Sequence, residues 1–441
     1  MLRKLNIFKR IDDKSTQNIF KNMAVLMSGA VIARIIGFGS TPILTRLYTP
    51  EHFGILSIFL AVLAMILPFA TLRYSIAIPL LKYNGIAINL VAVSMLILSI
   101  VTLITIGILG LFYPIIFKLF SLETLQAYWW LLPIAVFASG MYEIFQSWLV
   151  RQKDFKALAT TDVLTTIGGA ITKIGLALMG IKPLGLLLGS VFVSSFGSIL
   201  LFFRVKNLLR INKKFLRFSR MKFLILYYME YPKYRLPSQF LLVLSMQAPL
   251  LALANFFGTD TVGQFSLALM ALSLPVTLLG NSMGQAYYAE IAKVGKKNPE
   301  KIFEISKHII KKLLLLSIIP FIVILFASPL LFSFVFGEAW REAGAFAQLL
   351  SLYMLASFVS APLVNTLSVF ERQSLFLKLN IIRVGLLLGV FTTVYFLNLG
   401  AIETVFLYSM VMAMHFIYVS TTIFKVIKQE IILVKSRNGR L

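Results

Sequence analysis

The chain has 441 residues, of which 59% are hydrophobic and only 13% charged, with a mean hydropathy of +0.88. A soluble globule carries about 25% charged residues, so a water-soluble multi-domain protein is excluded and a polytopic α-helical membrane protein is indicated. The net charge of +25 raises the question of nucleic acid, and the lack of cysteine removes disulfides, thiolate-bound zinc, iron–sulfur clusters and thiol catalysis.

The opening stretch, MLRKLNIFKRIDDKSTQNIFKN, is basic and weakly apolar, without a signal-peptide core or cleavage site. Residues 1–21 therefore read as a cytosolic tail. Apolar runs then predict spans over 22–44, 53–81, 86–112, 127–149, 157–180 and 183–203. Residues 204–235, RVKNLLRINKKFLRFSRMKFLILYYMEYPKYR, interleave basic and apolar side chains. They read either as a membrane-surface helix or as a solvated linker. Spans resume over 236–257, 262–288, 308–336, 344–370, 375–397 and 403–425, and residues 426–441 form a second cytosolic tail. The expected fold is all-α, with twelve transmembrane helices in two six-helix lobes, 22–203 and 236–425.

The distribution of cations answers the nucleic-acid question. With both termini inside, Arg46, Lys118, Lys182 and Arg341 fall outside, and Arg34, Arg73, Lys173 and Arg383 fall within spans. Every other member of the 42 Lys and Arg residues lies on the cytoplasmic side. That asymmetry is the positive-inside rule, and it accounts for the net charge without nucleic acid. Anionic lipid headgroups attract the same loops.

The halves read as a parallel repeat. LYTPEHFGILS, from Leu47, matches FFGTDTVGQFS, from Phe256. Asp260 falls where Glu51 falls, Gly263 where Gly54 falls, and Ser266 where Ser57 falls, all at one offset. VRQKDF after the fourth span pairs with ERQSLF after the tenth at a larger offset, which the longer loop between spans eight and nine absorbs. Six helices per half keep both halves in one orientation, as in parallel-repeat transporters.

Arg34, in SGAVIARIIGFGSTPILTRLY, lies about 20 Å from the cytosolic edge at 1.5 Å per residue, and its charge is permanent. Ala30, Gly37, Thr41 and Thr45 share its helical stripe. It reads as a cation lining a wet cavity and meeting an anionic substrate, against the alternative of a structural pair with a buried carboxylate. Arg73, in LPFATLRYSIAIPLL, is about 13 Å deep and partly able to snorkel. Lys173 shares a face with Asp162, Thr166 and Gly169. It lies about 16 Å along the helix from Asp162, too far for a direct pair. Glu143 and Asp162 are the candidates for counter-ion or coupling-ion roles. Weaker candidates are Arg383, which can snorkel, His415, which reads first as a packed histidine, and the amides Asn281 and Gln285. No metal or cofactor motif is present. The three histidines are scattered, GFG follows no strand, and no acidic cluster or phosphate loop occurs. The chain is expected not to be an enzyme.

RLYTPEHFGILSIF, VGQFSLALMALSLP and GNSMGQAYY resemble the polysaccharide transporter family, the O-antigen and capsule flippases of the multidrug/oligosaccharidyl-lipid/polysaccharide exporter superfamily. The resemblance implies two lobes in a V with a central cavity that opens alternately to each side of the bacterial inner membrane. It implies a lipid-linked oligosaccharide on undecaprenyl pyrophosphate as substrate, no cofactor, and contact with the polysaccharide polymerase and glycosyltransferases. ARIIGF is similar to the first helix of peptidoglycan-precursor flippases, which carries a cavity-arginine role to Arg34 and, less directly, to Arg73. The chain lacks that group's further arginine after GF and its two extra helices. On this reading Arg34 and Arg73 grip pyrophosphate, with Lys173 further along the path. The rivals are a cation-coupled multidrug exporter of the same superfamily and a membrane-embedded glycan polymerase.

Overall fold

Backbone amides have no partner in hydrocarbon, so a chain this apolar must satisfy them within helices. The structure, a computed structural model, describes residues 14–119, 123–275 and 280–438, and every regular element among them is helical. In chain order the helices are α1 (Lys14–Leu47), α2 (Pro50–Ala70), α3 (Asn84–Leu119), α4 (Leu131–Gln152), α5 (Phe155–Leu178), α6 (Leu184–Asn212) and α7 (Phe218–Tyr227). There follow α8 (Leu236–Pro275), α9 (Asn281–Val294), α10 (Pro299–Phe336), α11 (Arg341–Ser360), the short α12 (Asn365–Val369), α13 (Gln373–Leu397) and α14 (Ala401–Asn438).

Local chemistry sets several of these boundaries. Pro50 opens α2 with Glu51 in its first turn, where the missing N–H costs nothing and the carboxylate meets the positive end of the helix dipole. The Asp154 side chain accepts from the Ala157 amide and caps α5. Asn298 does the same for Lys301 at the start of α10, with Pro299 following it.

Nine helical stretches among the described residues are long and apolar enough to cross a membrane. The 22-residue α4 and the 24-residue α5 are long enough but more polar. One apolar stretch, Tyr231–Pro275, contains the non-helical Gly258 (φ 80°, ψ −177°), which breaks α8 into two limbs. With α4 and α5 included and the α8 limbs counted separately, the expected twelve crossings are present. The outward face of α10 carries Leu315, Ile319, Phe326, Leu330 and Phe334, all exposed. An apolar surface of that length requires lipid around it.

The boundaries moved in several places: α10 begins at Pro299 rather than 308, and α14 runs to Asn438, so most of the expected tail 426–441 is helix. The helix of the first span begins by Lys14, inside the expected tail, while residues 1–13 lie outside the described residues. The second span ends as an α-helix at Ala70, eleven residues before its expected limit, and continues as a 3-10 helix over Tyr74–Leu80. The sixth continues to Asn212, so the basic segment from Arg204 begins as helix. Beyond it, Phe218–Tyr227 forms α7, which is tied down by side chains, and Tyr231–Arg235 leads as a helical turn into α8. Asn89 of α3 donates to the Phe215 carbonyl (3.1 Å) and accepts from the Arg217 amide (2.8 Å), and the Tyr74 hydroxyl donates to the Ile225 carbonyl (3.0 Å).

The chain divides into two compact units. The first holds the chain up to Tyr48 and Phe59–Val243; the second holds Thr49–Ile58 and the chain from Leu244 onward. Within the first unit, small residues let helices approach closely. Gly29 lies against Ala159, Gly37 against Thr166, Gly140 against Leu98, Gly169 against Val193 and Gly197 against Tyr142. Within the second, Ser328 of α10 donates to the Gly344 carbonyl of α11 (2.8 Å). A buried cluster around Tyr287, Ile302, Leu367 and Ile423 surrounds the Tyr287 hydroxyl, which bonds with Ser306 (2.7 Å) and Thr366 (2.6 Å).

The repeat is visible as reciprocal contacts inside the second unit. A Cβ on Gly54 would overlap the Thr259 carbonyl, and a Cβ on Gly263 would overlap the Pro50 carbonyl. Gly54 and Gly263, like Pro50 and Thr259, are equivalent under the repeat offset, so each turn seats its glycine on the other's backbone. Ser57 donates to Ser266, its own repeat equivalent 209 residues away, at 2.8 Å.

Candidate functional site

Thr71, Arg73, Ser75 and Glu143 of the first unit converge on the end of α2. Pro68 lies in the last turn of α2, and Leu72 (φ 45°) and Arg73 (φ 65°) adopt the left-handed conformation before the 3-10 turn begins. For an L-residue that conformation costs about 1–2 kcal/mol. The turn it makes buries Thr71 and Ser75 completely and swings Arg73 toward α4.

Arg73 Nη1 lies 3.6 Å from Glu143 Oε1, their side chains 18% and 25% exposed. That separation is an ion pair without a close hydrogen bond. The shorter contact to the same carboxylate oxygen comes from the Ser75 hydroxyl at 2.6 Å, and Thr71 bonds to Ser75 at 3.0 Å. Arg73 Nε is buried without a hydrogen-bond partner. The carboxylate is thus held mainly by the serine, and the guanidinium keeps unused donors.

Next to Glu143 on α4, the Tyr142 hydroxyl donates to Asp162 Oδ1 of α5 at 2.6 Å. One turn earlier Ser139 donates to Ser194 of α6 at 3.0 Å. Helix α4 is therefore the spine of the network: one side chain engages the α2 break, one engages α5, one engages α6. Among the described residues Asp162 has no ion-pair partner, consistent with its distance along α5 from Lys173.

Arg34 is exposed on α1 and forms no ion pair among the described residues. Its neighbours on the stripe behave differently from expectation. Thr41 and Thr45 are buried, Thr41 donating back to the Gly37 carbonyl (3.2 Å), and Gly37 itself meets Thr166. That part of the stripe is a helix-packing face, because small groups serve close approach as well as they serve water. Lys173 lays its aliphatic stem over Gly189 of α6, and the Tyr48 hydroxyl donates to its backbone carbonyl (2.8 Å). In the second unit Gln285 is exposed on α9, and the side chain of Asn281 lies outside the described residues. Arg383 is half-buried on α13, and His415 is 4% exposed on α14.

Ser75, Thr71 and Tyr142 were missed by sequence reasoning. The usable signal was the pair of prolines, Pro68 and Pro79, that brackets TLRYS and marks a helix that cannot continue.

The profile of the family described as "Polysaccharide biosynthesis protein" matches residues 43–345. The chain belongs to that family. Among curated proteins none matches it. Three solved structures illustrate the fold of this family member. The lipid II flippase MurJ in an inward closed conformation is 15% identical with a TM-score of 0.68, covering 94% of this chain and 92% of its own. An inward-facing multidrug resistance MATE family transporter of the MOP superfamily is 16% identical with a TM-score of 0.58, covering 93% and 95%. A MATE transporter from Vibrio cholerae is 12% identical with a TM-score of 0.55, covering 93% and 96%. This polysaccharide biosynthesis protein is a multi-span membrane protein with the MOP-type transporter fold.

Proposed function

We propose that the chain is a flippase that carries an undecaprenyl-pyrophosphate-linked oligosaccharide from the inner to the outer leaflet by alternating access. It does so in the bacterial inner membrane with both termini cytoplasmic, and serves O-antigen, capsule or exopolysaccharide assembly. The observation that carries the reading is the state of the two intramembrane arginines of the first unit. Among the described residues Arg34 is exposed and in no ion pair, and Arg73 has an orphaned Nε and only a 3.6 Å carboxylate contact. An unsatisfied guanidinium within a span is costly, and a phosphate supplies the acceptors it lacks. Each charge-assisted bond is worth about 1.5–3 kcal/mol, which offsets dehydration of a pyrophosphate head. The family match and the fold shared with a protein known as a lipid II flippase support the same substrate class.

Reconstitution in liposomes with defined lipid-linked glycans tests the proposal. The unaltered chain moves glycan to the far leaflet, and Arg34→Gln and Arg73→Gln do not while remaining folded. Normal translocation by both variants refutes it.

One observation favours the cation-coupled drug exporter. Asp162 is a carboxylate within a span, held by a phenol and paired with no cation among the described residues. That arrangement suits a site that exchanges a proton or sodium ion. Drug accumulation in cells expressing Asp162→Asn distinguishes the two readings, since only an exporter changes it.

A further inference from the structure

The second unit contains a cluster of polar side chains that the proposed function leaves unused. Arg383 of α13 lies fourteen residues before the end of its helix at Leu397, and His415 lies fourteen residues after the start of α14 at Ala401. Both therefore stand about 21 Å from the connection that joins the helices, at the same depth. Tyr408 precedes His415 by two turns on the same face of α14. The Tyr353 ring from α11 lies 5.6 Å from Tyr408 and 5.8 Å from Phe416, and Phe416 meets His415 edge-on at 5.5 Å. Helix α13 packs directly against α14.

The cluster is unsatisfied in one direction. Arg383 Nε and His415 Nδ1 are both buried without a hydrogen-bond partner. No carboxylate pairs with Arg383 among the described residues. Buried polar groups are paired in the great majority of cases, so two orphans at one depth on packed helices mark an unfilled polar position. Guanidinium only donates, in a planar fork that matches two oxygens, and an imidazole N–H and a phenol O–H can each add a donor.

The repeat supplies independent support. The offset that aligns Arg151 with Arg372 and Gln152 with Gln373 aligns Asp162 with Arg383. In the first unit that position holds a carboxylate engaged by a phenol, Tyr142. In the second it holds a cation with phenols nearby. The duplicated fold keeps a polar station at this level and inverts its charge.

We propose that Arg383 and His415, backed by Tyr353 and Tyr408, form a binding site for an anionic oxygen group, a carboxylate or phosphate, in the second unit. The group is borne either on the glycan head or by a free ion. The site goes beyond the flippase reading and is read by binding alone.

The test uses the full chain in nanodiscs with His52→Asn and His308→Asn, which leave His415 as the single histidine of three. Its ring nitrogens are labelled and followed by NMR during titration with inorganic phosphate, acetate and glucuronic acid. The expected result is a saturable shift of the Nδ1 signal that Arg383→Gln abolishes, that Arg383→Lys weakens about tenfold, and that Arg34→Gln leaves intact. Response to phosphate or acetate identifies a free ion, and response to glucuronic acid alone identifies the glycan head. Absence of a saturable shift with all three probes overturns the proposal, as does an unchanged shift in a folded Arg383→Gln protein. Loss of glycan translocation in Arg34→Gln with this shift preserved separates the two proposals.

Discussion

Ser57 and Ser266 occupy the same place in their respective halves of the sequence and hydrogen-bond to each other at 2.8 Å. A residue meets its own repeat equivalent only where a local two-fold axis passes. The flanking glycines obey the same symmetry, Gly54 on the Thr259 carbonyl and Gly263 on the Pro50 carbonyl. Backbone carbonyls cannot step aside as side chains do, so this contact tolerates no Cβ. Gly54→Ala and Gly263→Ala are expected to lower the yield of monodisperse protein and its melting temperature in detergent. Ser57→Ala with Ser266→Ala, which removes both hydroxyls together, is expected to cost less than about 1 kcal/mol. A thermal shift as small for the glycine variants as for the double serine variant contradicts the contact.

The Glu143 carboxylate is held more closely by Ser75 than by Arg73. Ser75→Ala is therefore expected to destabilise by about 1.5–3 kcal/mol, the range for a hydrogen bond to a charged group. It should leave translocation of lipid-linked glycan measurable, because Arg73 keeps its charge and its free donors. Arg73→Gln should reverse the pattern, with folding retained and translocation lost. Thermal melts and liposome assays on the same preparations read both.

Leu72 is left-handed at φ 45°. In an ordinary helix glycine is about 1 kcal/mol worse than alanine. Here the order should invert, with Leu72→Gly more stable than Leu72→Ala by about 1 kcal/mol, because only glycine adopts this conformation without penalty. Equal melting temperatures for the two variants would deny the strain.

Asn89 fastens the basic segment through the Phe215 carbonyl and the Arg217 amide. Asn89→Ala leaves both without their side-chain partner. Trypsin should then cleave at Lys213, Lys214 or Arg217 faster than in the unaltered protein, at unchanged cleavage elsewhere.

The all-helical fold was legible because each span is an apolar run and charge asymmetry orders the runs. The polar spans α4 and α5 were also legible, since length and flanking charge define them as well as hydropathy does. The end of α2 was not. FATLRYSIAIPL stays apolar across the break, and hydropathy does not register a backbone turning left-handed at Leu72 and Arg73. At the site, Arg73, Glu143 and Asp162 could be named as intramembrane charges. The partners that define them, Ser75 and Tyr142, could not, because a hydroxyl in a span is common and its role depends on a helix tens of residues away. Periodicity also placed Gly37, Thr41 and Thr45 on Arg34's stripe without distinguishing a wet face from a packed one.

The decapeptide Thr49–Ile58 leaves the first unit, joins the second and returns. Its mutual glycine seats have the form of an isologous interface, in which site i touches j and j touches i. The contact is therefore self-complementary within the second unit, each turn supplying both the seat and the glycine that fills it. A cut within the basic segment between the halves would therefore part the second unit from a strip of its own packing, since Thr49–Ile58 stays on the first fragment.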